Sequence, residues 1–354
     1  MRFNRVCTRL QPHVRLRPAC FRHASTSASL IEVLRRNKEI SAEDAINELR
    51  WIRQAIREDP SLVETHRHLD DEGCLAELVG RRAAGEPLQY VLGTFYPVSC
   101  LVKLRIGTTD FGPLVLRTRA PVLIPRPETA HITERIAHHL LKRISPSSAP
   151  LNVLDLCTGS GCIALLLKHL LDERGIITGR DISQAALSLA RDNAHQLGLN
   201  VTFETGDIWG NVESWRKVDI LVSNPPYIPR KEWDGLDDGV RHFEDPAALV
   251  GDPSDLPPGP VERAEILHGQ YEDEERSGLA FYRRIANILP VVLTPQAELV
   301  GKGWNNVPRV AVEIGYNQAE QVQSILKERS GGWIKQTEVW KDQYDVDRMV
   351  VGWK

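Results

Sequence analysis

The stretch Ser223-Asn224-Pro225-Pro226-Tyr227 follows an apolar run, Val218 to Val222, that reads as a buried strand. Two adjacent prolines lack N–H donors and fix φ, so the segment offers carbonyl acceptors on a stiff backbone. Asn224 adds the carbonyl oxygen and NH₂ of its carboxamide, and Tyr227 adds a flat aromatic face. Such a set suits a planar –NH₂ group, with acceptors for its two N–H bonds and a ring to limit its tilt. An amide nitrogen is a weak nucleophile because its lone pair is delocalised into the carbonyl. Fixing the direction of that lone pair supplies the alignment an in-line displacement needs, and acceptors stabilise the N–H groups as they gain positive charge. Asn224, Pro225 and Tyr227 are therefore the candidate catalytic residues, and Asn224, Pro225, Pro226 and Tyr227 the candidate substrate-binding set. An isolated Pro-Pro pair would be read as an ordinary strand stop; the residues upstream give this one its weight.

Those residues are a glycine loop and a series of acids. A strand ending in Asp155 runs into Cys157-Thr158-Gly159-Ser160-Gly161, where the glycines permit a sharp turn and close approach to a ligand. Asp181 ends the next strand twenty residues past Gly161, the offset at which a carboxylate accepts hydrogen bonds from ribose hydroxyls. Asp207 follows the third strand, placed to hold the edge of an adenine. The set points to a nucleoside ligand, and two remain in competition: a nicotinamide dinucleotide and S-adenosylmethionine. The position where a dinucleotide loop has its third glycine is Ala164, which such loops sometimes accept.

The elements that position these groups alternate. Strands are expected at Leu151 to Leu156, Ile176 to Asp181, Val201 to Phe203, Val218 to Val222 and Arg309 to Ile314, with two more around Val339 and Met349 to Val351. Helices are expected at Cys162 to Leu171, Ser183 to Leu197, Leu279 to Leu289 and Gln318 to Glu328. This pattern predicts an α/β fold with a parallel sheet covered on both faces, and ligands of such sheets bind at the carboxyl ends of the strands. In front lies a helical region from Ser29 to about Gly85, including a helix started by Ser41 with Asp44 three residues on. Residues 86–127, richer in Pro, Gly and β-branched types, are expected to form short strands or a hairpin, and a helix follows Pro127-Glu128.

The protein has 354 residues, 42% hydrophobic and 26% charged, with a formal net charge of −3. That length suggests two domains, or one large domain with additions. No run approaches the roughly 18 apolar residues of a membrane span, so no membrane association is expected. The charge argues against a broad basic surface for nucleic acid. Residues 1–28 are Arg-rich and Ser-containing, and the first acid in the sequence is Glu32; this composition predicts a disordered mitochondrial transit peptide and a matrix location. Cys7, Cys20, Cys74, Cys100, Cys157 and Cys162 form no CxxC pair, so reduced thiols and no metal site are expected.

The motifs together resemble the protein-glutamine methyltransferases of the HemK/PrmC type, which methylate the glutamine amide of the Gly-Gly-Gln motif in peptide-chain release factors. Gly85 to Gly93 (GEPLQYVLG), Leu123 to Thr129 (LIPRPET), Asp155 to Gly161, Asn224 to Tyr227, Val240 to Leu249 (VRHFEDPAAL), Val312 to Gly315 and Asp347-Arg348 carry the likeness. It implies a Rossmann-like class I S-adenosylmethionine-dependent methyltransferase, doubly wound with a mostly parallel seven-stranded sheet, behind an N-terminal helical domain. By that resemblance Cys157, Thr158, Gly159, Ser160, Gly161, Asp181, Asp207, Ile208 and Asn224 hold S-adenosylmethionine, Asn224 lying between cofactor and substrate. The implied partner is a mitochondrial release factor, acted on by a monomer. The expected organisation is a helical substrate-binding domain at 29–93, connecting strands at 94–130 and the methyltransferase domain at 131–354.

The sequence departs from the family in three places. Ala130 stands where LIPRPET is usually followed by an acid, residues 95–110 read as an insert, and the Pro-rich, acidic segment 252–276 reads as a long loop. Tetrads like NPPY also occur in amino-group methyltransferases of DNA and RNA, the alternative reading. A non-catalytic binding module and a nicotinamide dehydrogenase are further rivals.

Overall fold

The computed structural model describes residues 26–58, 69–92, 107–143, 148–252 and 277–354. The protein divides into two compact units, Met1–Gly85 and Glu86–Lys354. The break falls ahead of the 93/94 boundary expected from sequence, because the short helix Leu88–Val91 belongs to the second unit.

Helices α1 (Ser27–Leu34), α2 (Ala42–Glu58) and α3 (Asp71–Ala83) make up the described part of the first unit. Each begins where a polar side chain satisfies an otherwise unpaired N–H. Thr26 and Ser29 form a reciprocal box, Ser41 accepts from Asp44 N at 3.1 Å, and Asp70 accepts from Gly73 N at 2.8 Å. The box corrects one expectation: Ser27 and Ala28, assigned to the disordered leader, are helical, and residues 1–25 lie outside the described residues. Leu34, Ala45, Ile52 and Leu78 are fully buried, and Arg82 grips Glu48 through Nε at 2.8 Å and a second nitrogen at 3.1 Å.

The second unit starts with α4 (Leu88–Val91) and a hairpin, β1 (Thr108–Phe111) and β2 (Leu114–Arg117). Thr108, Thr109 and Asp110 pair with Arg117, Leu116 and Val115. The end of the supposed insert is therefore half of a ladder, and Phe111 beside it is fully buried. Residues 95–106 lie outside the described residues. Helix α5 (Pro127–Leu141) follows, with Pro at its first turn where no N–H is needed.

The remaining strands are β3 (Leu151–Leu156), β4 (Gly175–Asp181), β5 (Thr202–Thr205), β6 (Ile220–Ser223), β7 (Val310–Glu313), β8 (Gln336–Lys341) and β9 (Asp347–Trp353). They form one seven-stranded sheet in the order β5-β4-β3-β6-β7-β9-β8, parallel except for β9, which runs against both neighbours. The fold is the expected doubly wound, mostly parallel methyltransferase sheet.

Successive strand residues face opposite ways, and the two faces carry separate cores. Val153, Ile177, Ile220 and Val351 join α5, α6 (Cys162–Leu171) and α7 (Gln184–Leu197). Leu154, Leu221, Val312 and Val350 join α9 (Ala280–Val292) and α11 (Ala319–Arg329) on the other face; the short α8 (Asp238–Phe243) and α10 (Gln296–Gly301) fall between. Strand order reverses between β3 and β6, which pair Leu156 with Ser223. Among the described residues no helix is long and apolar enough to cross a membrane.

The LIPRPET and VRHFEDPAAL segments meet here. One Arg126 terminal nitrogen lies 2.9 Å from both oxygens of Glu244, and Asp245 N donates to the Pro121 carbonyl at 2.8 Å. Glu244 is 1% exposed, so removing its cation leaves a buried charge with no counter-ion. Breaking a fully buried pair costs about 3–5 kcal/mol. Because Arg126 is 37% exposed, Arg126→Ala is expected to lower unfolding free energy by a smaller amount, about 2–3 kcal/mol. Urea denaturation measures it.

Candidate functional site

The carboxyl ends of β3 and β6 lie side by side at the switch in strand order. The Ser223 hydroxyl donates to the Leu156 carbonyl at 2.6 Å, tying the last residue of one strand to the last of the other. Beyond Leu156 the backbone enters the glycine loop; beyond Ser223 it enters Asn224-Pro225-Pro226-Tyr227.

The loop opens with Cys157 at φ 59°, a left-handed conformation uncommon for a residue that carries a Cβ. Gly159 and Gly161 follow at φ 54° and 80°, and they serve different needs. A Cβ on Gly161 would come within 2.9 Å of the Phe203 ring and 3.0 Å of Ala190 Cβ, so this glycine lets α6 pack down. A Cβ on Gly159 would meet nothing within 4 Å, so this glycine borders open space where a ligand can approach the backbone. Thr158 N donates to the Arg180 carbonyl at 3.0 Å, which docks the loop on β4.

Asp181 lies at the end of β4 and accepts from Gly159 N at 2.9 Å and from Ser183 N at 2.8 Å. The carboxylate keeps lone-pair capacity beyond these bonds, which fits the expected role toward ribose hydroxyls. Burial raises its carboxyl above the usual range, and the N–H groups of Ser183, Gly159 and Ile182 pull it back. Asp207 accepts from Trp209 N at 2.9 Å through one oxygen, and Ile208 beside it is buried.

Sequence reasoning placed Asp155 only as the end of a strand. In the structure it is completely buried beneath the loop. One oxygen accepts from Thr158 Oγ1 at 2.5 Å and Ala164 N at 3.0 Å; the other has no hydrogen-bond partner among the described residues. Burial pushes its carboxyl up to about 7, against the lowering effect of Thr158 and Ala164. Asn193, on α7, was also missed. It donates to the Ser160 carbonyl at 3.0 Å and exchanges bonds with Arg117 N and O at 2.7 and 3.3 Å, so the hairpin and the loop share one buried amide.

At the proline hook Asn224 is half-buried, and Pro225 and Pro226 are buried. Among the described residues the Asn224 carboxamide makes no hydrogen bond, and neither proline carbonyl accepts one. Tyr227 differs: its carbonyl accepts from Gln318 Nε2 at 3.0 Å and its hydroxyl lies 3.4 Å from Glu313 Oε1. A cavity of about 430 Å³ opens on its outer flank, lined by Tyr227, Pro229, Lys231, Gly315, Tyr316 and Gln318 among others. The structure thus places every site residue assigned from sequence at the carboxyl ends of β3, β4, β5 and β6, with the Asn224 carboxamide and the proline carbonyls unbonded among the described residues.

A methyltransferase domain family matches residues 147–253. The protein is 33% identical over 267 residues to the release factor glutamine methyltransferase of Bacillus anthracis, a match that spans 73% of its own length and 74% of the relative. It is 34% identical over 275 residues to that of Geobacter sulfurreducens, spanning 78% and 76%. It is 30% identical over 330 residues to that of Streptococcus pneumoniae, spanning 93% and 92%.

The cofactor is S-adenosylmethionine, and the residues fit it. The open face at Gly159 and the two carboxylates Asp181 and Asp207 would hold a nucleoside, and the charge of Asp155, buried beneath the loop, would favour one that is positive. A cation favours ionised carboxyls, so binding displaces the proton that burial keeps on Asp155. Affinity then rises with pH until the carboxyl of the free protein is itself ionised, near pH 7. Calorimetric titration with S-adenosylmethionine is expected to show affinity rising on the order of tenfold from about pH 5.5 to 7 and then levelling. Asp155→Asn should flatten the rise.

Proposed function

Because this protein belongs to the release factor glutamine methyltransferase family, we propose that it methylates the glutamine amide in the Gly-Gly-Gln motif of a mitochondrial release factor, acting as a monomer. The observation that carries the reading is the pairing of β3 with β6. It sets the glycine loop and the proline hook side by side, with the Asn224 carboxamide and the two proline carbonyls unbonded among the described residues. The mitochondrial element rests on the arginines and missing acids of residues 1–28.

S-adenosylmethionine, when bound, supplies a methyl carbon made electrophilic by a positively charged sulfur. The protein's own part is placement. Asn224 Oδ1 and the Pro225 carbonyl take the two N–H bonds of the substrate amide, which directs the nitrogen lone pair out of the hook toward the loop. The Tyr227 ring limits rotation of the bound glutamine. The same carbonyls stabilise the N–H bonds as the nitrogen becomes positive, so their interaction is stronger in the transition state than in the ground state. Pro225 and Pro226 have no N–H, so at these two positions the backbone presents acceptors alone.

Incubation with methyl-labelled cofactor and either the mitochondrial release factor or nucleic acid separates this reading from an amino-group methyltransferase of DNA or RNA. Label is expected in the release factor, at the glutamine of Gly-Gly-Gln; label confined to nucleic acid overturns the assignment. Asn224→Ala is expected to lower methyl transfer at least about a hundredfold, the scale on which lost orientation acts. Unchanged transfer would remove the hook from the working site.

A further inference from the structure

Tyr227 is fixed at several points besides its peptide bonds. Gln318 holds its carbonyl, while its ring edge lies against Gly315, where a Cβ would come within 3.0 Å of Cδ2. A Cβ on Gly278 would come within 2.2 Å of the Tyr227 carbonyl oxygen, so backbone also closes on it from that side. The phenol end faces Glu313, the last residue of β7 and 2% exposed.

Hydroxyls meet both oxygens of Glu313, where Asp155, among the described residues, has a hydroxyl at one oxygen only. Thr129 Oγ1, in the first turn of α5, donates to Oε2 at 2.6 Å, and the Tyr227 hydroxyl lies 3.4 Å from Oε1. Tyr282 Oη donates to the Glu313 backbone carbonyl at 2.9 Å. A buried carboxylate adds nothing to stability that a well-packed apolar group of the same volume would not, so its presence behind the hook calls for another account.

We propose that Glu313 is a positioning residue that sets the orientation of the Tyr227 ring, and through it the amide that the ring confines, without touching substrate or cofactor. The inference rests on the reading of Tyr227 as one wall of the amide site. A settled O–H···O bond is about 2.5–3.0 Å long, so the phenol contact has room to shorten when an amide loads the ring. Thr129 holds the other oxygen and keeps the carboxylate from following. Facing Glu313 are Tyr227 from the hook, Glu128 and Thr129 from α5, Cys162 at the start of α6, Tyr282 from α9 and Arg348 from β9. Arg348 is already bound to Asp342 by two bonds of 3.0 and 3.1 Å. Burial brings the Glu313 carboxyl up to about 7, opposed by Thr129, Arg348 and Tyr227.

The test is a double-mutant cycle of Glu313→Gln and Tyr227→Phe, read as KM and kcat for the release factor. Each single variant is expected to raise KM roughly five- to tenfold with kcat changed less than about threefold and S-adenosylmethionine affinity unchanged. The double variant is expected to be no worse than the worse single one, because the two act through one contact. Effects that multiply would overturn the proposal. A second readout needs no release factor: the ζ-carbon NMR signal of Tyr227, identified by its loss in Tyr227→Phe, is expected to shift with pH at a midpoint of about 7. A signal that stays fixed across that range overturns the proposal even if Glu313→Gln does not fold. Absence of methyl transfer by the wild type would instead sink the functional reading and leave the NMR titration to decide the role of Glu313.

Discussion

A hydrogen bond from the Ser223 hydroxyl to the Leu156 carbonyl joins the carboxyl ends of the two strands between which strand order reverses. The ladder between β3 and β6 ends at that pair, and beyond it their extensions part. The glycine loop therefore turns under α6, and the proline hook turns toward Gly315 and Gln318. A one-residue slip between β3 and β6 would move Leu156 and Ser223 to the wrong faces and separate the loops. Leu154 and Leu221, buried together in one core, and Val153 and Ile220 in the other, fix the register.

Buried acids at the two ends of this sheet show what pairing means in this protein. Asp219, just before β6, is fully buried, and both of its oxygens are taken. Lys302 Nζ lies 2.9 Å from one, and Asn152 N donates to the other at 2.9 Å. Arg309 Nε closes on its backbone carbonyl at 2.9 Å. That acid is an anchor, complete without a ligand. Asp155, at the opposite end of the neighbouring strand, has one oxygen satisfied and one bare. A buried unpaired acceptor costs free energy, and it persists only where something else recovers that cost. Of these two acids the one at the amino end is closed, and Asp155 at the carboxyl end keeps an oxygen unpaired among the described residues, on the edge where doubly wound sheets bind ligands.

What could be read in the sequence was whatever depends on near neighbours. Glycines that need positive φ, prolines that cannot donate and acids at strand ends all act within a few residues, so the placement of the glycine loop, Asp181, Asp207 and the Asn-Pro-Pro-Tyr turn at the carboxyl edge of the sheet was legible. Hydrophobic periodicity gave the alternating strands and helices. Contacts between distant segments carried no such signal. Arg126 and Glu244 are 118 residues apart, and Thr129 and Glu313 are 184 apart; each sits in a motif, but no spacing says which motif it meets. Asn193 looked like an ordinary polar helix residue until its amide proved to bridge β2 and the loop. Thr108 to Asp110 read as surplus only against the family pattern; they pair with β2 across the turn at Gly112, φ 57°, in the hairpin expected for this region. The capping box at Thr26 was overlooked because composition, the basis for assigning a leader, does not see where a helix begins.

If the hook binds an amide as proposed, the acceptors that its prolines present also bear on which residue it can take. Glutamate has the shape of glutamine, but it presents an anionic oxygen where glutamine presents N–H bonds. Against Asn224 Oδ1 and the Pro225 carbonyl that oxygen finds acceptors only, so both hydrogen bonds are lost and two partial negative charges oppose it. Asn224 could rotate its NH₂ inward, yet the proline carbonyl cannot change sign. Nearby Asp155 and Glu313, both buried acids, add to the negative field as they ionise. A site built to pair a substrate N–H rejects an analogue lacking it by roughly 10⁴–10⁵, far beyond what a hydrophobic pocket gains from a methylene. On the proposed function, the backbone chemistry of two prolines would do more for selectivity than a charged side chain at this site, because no rotamer change can reverse it.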